Sequence, residues 1–166
     1  MLTVDMYLCR PDATIDDVSA VSQNPYRYFI HLDDKRVHFM LDSLVLTDLK
    51  GAIVLRYGDE VLIGFEQCDG LEQLWSFFLN ALEILDEKKI VEGFVPDQSS
   101  MTIQQLSSQQ IEFCLNQRKW TFSKKEFFSV LLQHAEHFFI RMEEMLSSKT
   151  YLRQLNQIKR MQRFAH

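Results

Sequence analysis

One stretch of this chain leaves little choice of structure. Ser123-Lys124-Lys125-Glu126 precedes Phe128, Leu131, Leu132, Ala135, Phe138, Phe139, Met142, Met145 and Leu146. Steps of three and four residues bring those side chains onto one face of a helix. The S-x-x-E run is a capping box, in which the serine hydroxyl and the glutamate carboxylate satisfy amides that the first turn leaves unpaired. A helix of this length with a single apolar face has to bury that face, so the rest of the chain must supply a layer for it to lie on.

A second stripe repeats the demand. Leu71, Leu74, Trp75, Phe78, Ala81, Leu82 and Leu85 share one helical face, with Glu72, Gln73, Ser76, Asn80, Glu83 and Asp86 opposite. Asp69 and Glu72 form a capping-box variant at its start, and the helix should end near Glu87–Lys89, where cations complement its dipole. A third helix is expected from about Lys149 to Arg163, with Leu152, Leu155, Ile158 and Met161 on one side.

Strands supply the missing layer. The first 70 residues read as strands. Tyr26–Leu32 and Arg36–Leu41 flank the polar turn Asp33-Asp34-Lys35 and predict one hairpin; Ala52–Tyr57 and Glu60–Phe65 flank Gly58-Asp59 and predict another. Asp42–Leu49 fits either a strand or a helical turn. Pro11–Pro25 reads as a loop with a short helix at Ile15–Val21. After the first long helix, Gly93–Gln98 reads as a loop, with Pro96-Asp97-Gln98 either a turn in which Asp97 caps backbone amides or a surface recognition loop. Met101–Leu106, Ile111–Leu115 and Trp120–Phe122 then read as strands, the last two joined at Asn116–Lys119. The expected fold class is α+β, a mainly antiparallel sheet with two or three amphipathic helices packed on one face. The expected domains are a single α+β domain over 1–148 and a basic helical extension over 149–166. Thirteen Phe in 166 residues are enough apolar mass for a real core.

Charge is uneven. Lys149, Arg153, Lys159, Arg160 and Arg163 stand without an acid between 149 and 166, while the rest of the chain holds 13 bases against 23 acids. Such a body repels phosphate backbones and attracts basic proteins. The basic segment has the opposite preference: it suits RNA, an anionic membrane surface or the acidic body of its own fold. Three cysteines, Cys9, Cys68 and Cys114, are far apart and odd in number, which argues against a disulfide framework or a Cys-type zinc site and for thiols in a reducing compartment. The first residues carry neither a basic n-region nor an apolar h-region, and no run is long enough to span a membrane, so a cytoplasmic location is expected.

Chemistry finds little purchase. Five glycines at positions 51, 58, 64, 70 and 93 make no phosphate-binding loop. His134 and His137 share a helix face, and His31 and His38 stand opposite each other if the first hairpin forms, but neither pair has a third ligand in view. Cys68 sits beside Asp69 and Cys114 lies within an apolar strand, so neither is set up as a nucleophile. Asp16-Asp17 lacks the alternation of a calcium loop. The reading is a non-enzyme without metal or cofactor. Asp33, Asp34, Asp59 and Glu60, at the two hairpin tips, are the candidate partner-binding residues, provided that the tips leave the sheet at the same end.

The runs Leu74-Trp75-Ser76-Phe77-Phe78-Leu79-Asn80-Ala81-Leu82, Phe94-Val95-Pro96-Asp97-Gln98 and Phe127, Leu131, Leu132, Ala135-Glu136-His137-Phe138-Phe139 resemble small bacterial proteins of toxin-immunity type, over roughly residues 53–146. The resemblance brings no catalytic residues. It implies a binding protein that neutralises a toxin domain, one basic enough to meet the acidic turns. The alternative from the residues is an adaptor that touches RNA or an anionic surface through its C-terminal helix.

Overall fold

A computed structural model of the chain describes residues 1–44, 48–95, 99–147 and 149–164, with Phe94 and Phe164 described by backbone alone. The fold is α+β, with antiparallel sheets and several helices. The chain divides into two compact units, one of Met1 and Thr3–Leu74, the other of Leu2 and Trp75–His166.

In the first unit, β1 (Leu2–Cys9), β2 (Phe29–His31), β3 (Lys50–Tyr57) and β4 (Glu60–Ile63) form a sheet in the order β2-β1-β3-β4, and the two-residue β5 (Asp69–Gly70) pairs with β3. Five successive residues of β3, Gly51 to Leu55, are buried, so the sheet is covered on both faces along this strand. On one face Tyr7, Val21, Phe29, Ala52 and Val54 form a cluster, with Ile15, Phe65, Cys9 and Cys68 against it. Val21 comes from α1 (Val18–Gln23), which Asp17 caps by accepting the Ser19 N–H at 2.9 Å. Gly51 is required by space, because a Cβ there would overlap the Tyr7 carbonyl oxygen and the Leu71 side chain.

The expected hairpin over Tyr26–Leu41 does not form. Pro25 opens a helical turn, α2 (Pro25–Tyr28), and Val37–Met40 forms another, α3. Between them β2 pairs antiparallel with β1, with Tyr7 opposite His31 and Cys9 opposite Phe29. The reason is local. The Asp34 carboxylate accepts the Arg36 backbone N–H at 2.9 Å and its guanidinium at 2.7 Å, which bends the chain into α3 rather than back along β2. The hairpin at Gly58-Asp59 does form, with Tyr57 opposite Glu60, although Phe65 leaves β4 for a 3₁₀ turn. Leu41–Ser43 is also a 3₁₀ turn, and the rest of the ambiguous stretch falls partly on 45–47, outside the described residues.

The helix expected after Asp69 is α4 (Leu71–Lys88), and every residue of its apolar stripe is buried. Asp69 itself belongs to β5, where its carboxylate accepts the Gly70 N–H at 2.8 Å. In the second unit β6 (Ile90–Phe94), β7 (Ser100–Gln105), β8 (Gln110–Leu115) and β9 (Arg118–Ser123) form an antiparallel meander. Gly93 and Phe94, read from sequence as loop, are thus the end of a strand that pairs along its whole length with β7. The turn 96–98 lies outside the described residues.

Burial alternates along β8: Ile111, Phe113 and Leu115 are buried, and Glu112 and Cys114 face the other way. The inner face carries both long helices. The Phe77 ring of α4 would stand 3.1 Å from a Cβ at Gly93, and Phe127, from α5 (Lys124–Met145), stacks 5.6 Å from Phe122 and 6.1 Å from Phe113. Ser123 caps α5, its hydroxyl accepting the Glu126 N–H at 3.4 Å.

The basic segment forms α6 (Leu152–Phe164), which packs on α5 and hydrogen-bonds to α4. Ile158 and Met161 are buried, and Tyr151 ahead of the helix stacks 5.1 Å from Phe139. Glu83 of α4 accepts from Gln157 at 2.9 Å and Arg160 at 3.3 Å; Glu136 and Glu143 of α5 accept from Gln162 at 3.0 Å and from the Tyr151 N–H at 2.7 Å. Leu152, assigned by spacing to the apolar face, is 66% exposed.

Candidate functional site

The strand directions decide whether the acidic turns belong together. The Gly58 N–H donates to the Met1 carbonyl at 3.1 Å and the Leu32 N–H to the Met6 carbonyl at 2.8 Å. With Tyr7 beside Gly51, these contacts make β1 antiparallel to both neighbours. The ends of β2 and β3 therefore point the same way, toward the start of β1. Asp33-Asp34 and Asp59-Glu60 leave the same end of the sheet. They are staggered by five residues along β1 and by two to three strand spacings across it, which separates them by roughly 20 Å. A standard protein interface buries about 800 Å² on each side, a patch wide enough to take in both.

Between the turns lies Asp5, with Arg56 at 3.1 Å and His31 at 3.7 Å. The carboxylates differ in what they offer. Asp34 is held well below the usual carboxylate range, first by the Arg36 side chain and then by its backbone N–H, so its charge is already matched. Asp59 is exposed at the hairpin tip and, among the described residues, has no ionic partner. Asp33 is exposed and Glu60 half-buried.

Each turn stands beside apolar side chains that the fold leaves in solvent. Phe39, on α3 just after the first turn, is 83% exposed, with His38 packed edge-on at 5.9 Å. Tyr57 and Val61 flank the second turn and are also exposed. Sequence reading missed Phe39, because it treated the residue as part of a strand and nothing in the local pattern separates a buried strand Phe from an exposed helical one.

The other candidates resolve one by one. His31 and His38 do not face each other: His31 packs edge-on against Tyr7 at 5.2 Å, and His38 lies on α3. His134 Nδ1 lies 2.8 Å from the Val130 carbonyl one turn back, so that nitrogen is engaged with its own helix, and His137 is exposed. Among the described residues no group of three or more His, Cys, Asp or Glu is placed to hold a metal ion. All three cysteines are free and half-buried. Burial, and then neighbouring Cys68, push the Cys9 thiol up to about 12; Cys68 is also raised, by burial ahead of Asp69. Cys114 lies on the polar face of its sheet, opposite Lys119, rather than in an apolar setting.

The second unit holds a cavity of about 790 Å³, with Leu82, Phe128 and Met161 among its walls. Two of its cations are matched within it, Lys124 to Asp86 at 2.9 Å and Arg160 to Glu83 at 3.3 Å. Among the described residues no helix is long and apolar enough to cross a membrane. Comparison with known protein families, with curated proteins and with solved structures finds no match to this chain.

Proposed function

We propose that the protein binds another protein through the acidic end of its first sheet and that the partner is a basic toxin domain, which it neutralises. The observation that carries this reading is the placing of a Phe 83% exposed beside one of two acidic turns that leave the sheet at the same end. An exposed aromatic anchor beside charged residues matches the composition of an interface centre and its rim. The first unit holds 13 acids against 6 bases, which would steer a cationic domain toward it and repel nucleic acid. The resemblance over residues 53–146 adds the toxin-immunity class. Inhibition would be steric: the protein covers the toxin's cationic active site and performs no chemistry on it.

The test is to tag the protein in its native cell, identify what co-purifies in moderate salt, and assay that partner's toxic activity with and without an excess of this protein. A basic partner that loses its activity is the expected result. Phe39→Ala should weaken binding at least tenfold, mainly through faster dissociation, and Asp59→Lys with Glu60→Lys should slow association and flatten its salt dependence. A partner that stays fully active under a molar excess refutes the reading.

A further inference from the structure

The docking of α6 sorts its side chains by charge. Ile158 and Met161 face inward, and Gln154, Leu155, Gln157 and Gln162 are half-buried at the flanks. The exposed positions are Leu152, Arg153, Asn156, Lys159, Arg160 and Arg163. At 100° per residue these six fall within one arc about 120° wide. It carries four cations and no acid. Arg160 is shared with Glu83, whereas Arg153, Lys159 and Arg163 have no ionic partner among the described residues. From Arg153 to Arg163 the row runs roughly 15 Å along the helix.

We infer that the outer arc of α6, Arg153, Lys159, Arg160 and Arg163, is a docking strip for the phosphate backbone of a nucleic acid. The apolar face that lipid insertion would need is already spent, with Ile158 fully buried and Met161 8% exposed. A protein partner would need an apolar anchor at the centre of its contact, and the arc offers Leu152 alone, at one end. A polyanion needs neither, because release of condensed counterions drives its binding through charge. The described side chains of the arc include no ring on which a base could stack, so the contact reads phosphate and not sequence. The second unit as a whole, with 12 bases against 10 acids, does not oppose such a ligand as the first unit would.

The experiment uses the full-length protein and a fluorescent 20-nucleotide single-stranded RNA, with fluorescence anisotropy read from 50 to 200 mM salt. Three to four phosphate contacts predict that affinity falls about 15- to 60-fold over that range, a log–log slope of roughly −2 to −3. Two RNAs of unrelated sequence should bind alike. Arg153→Gln with Lys159→Gln and Arg163→Gln should reduce binding at least tenfold with the circular dichroism unchanged, since none of the three takes part in docking α6. The inference is overturned if that variant binds RNA as well as the parent does. It is equally overturned if polyglutamate or phosphatidylserine vesicles bind through the same three residues and RNA does not. Neither result bears on the acidic end of the first sheet, which the variant leaves intact.

Discussion

The two sheets of this protein solve burial in opposite ways. In the first unit β3 buries five residues in succession, Gly51 to Leu55, so the sheet is covered on both faces along that strand. In the second, β8 alternates strictly, with one face under α4 and α5 and the other presenting Glu112, Cys114, Lys119 and Thr121. Charge divides the same way, 13 acids to 6 bases in the first unit and 10 to 12 in the second. The acidic turns of the first unit lie beyond that covered strand, at the end of the sheet. The second unit exposes a sheet face and a helix, and its helix is basic. The acidic turns of the first unit and the basic helix of the second are opposite in sign, while the open sheet face is mixed, with Glu112 paired to Lys119 at 3.0 Å.

If the contrast is right, a methyl group should cost far more in the closed sheet than in the open one. Gly51→Ala would drive a Cβ into the Tyr7 carbonyl, a backbone atom that cannot swing aside, and should cost about 3 kcal/mol or more. Gly93→Ala meets only the Phe77 ring, at 3.1 Å, and should cost about 1 kcal/mol. Urea unfolding followed by circular dichroism measures both, and equal losses would break the comparison.

Alkaline pH should single out the first unit. Burial raises the Cys9 thiol from 9.0 to about 12, and Tyr7 in the same cluster is raised too, again mainly by burial. Above pH 9 the unfolded chain loses the Cys9 proton while the folded one retains it, so stability is full below pH 9 and declines as pH rises toward 12. Cys9→Ala should flatten that decline, which pH-resolved urea unfolding will show, and an unchanged slope would remove Cys9 as its source. The smallest effect belongs to the second sheet. Asn116 and Gln117 turn the chain between β8 and β9 with φ of +48° and +69°, and Gln117→Gly should stabilise by about 0.5–1 kcal/mol in the same assay.

What could be read from the sequence followed element length. The α4 and α5 stripes run through four or more turns, enough for the 3.6-residue period to stand out, and β7, β8 and β9 are marked by alternation and by the Asn116 turn. The helical turns α2 and α3 are four residues each, too short to show any period, and aromatic residues in them read as strand. The pairing of β2 with β1 joins segments some twenty residues apart, with no turn between them to signal it. At the candidate site the Gly58-Asp59 tip was legible because a tight turn needs such residues. The matching of Asp34 to Arg36 and the exposure of Phe39 were not, because both depend on the path of a bend that composition alone does not set.

The lost hairpin also bears on aggregation. β2 is an edge strand, and an exposed edge of unpaired amides and carbonyls invites strands from other molecules. Helical turns on both sides cut this edge to three residues, Phe29 to His31. Had residues 36–41 formed the strand that their composition favours, the sheet would end in a longer aromatic ribbon, a template for fibril growth. The bend at Asp34 therefore shortens this edge and the template it offers to other copies of the chain, whatever partner its acidic end receives.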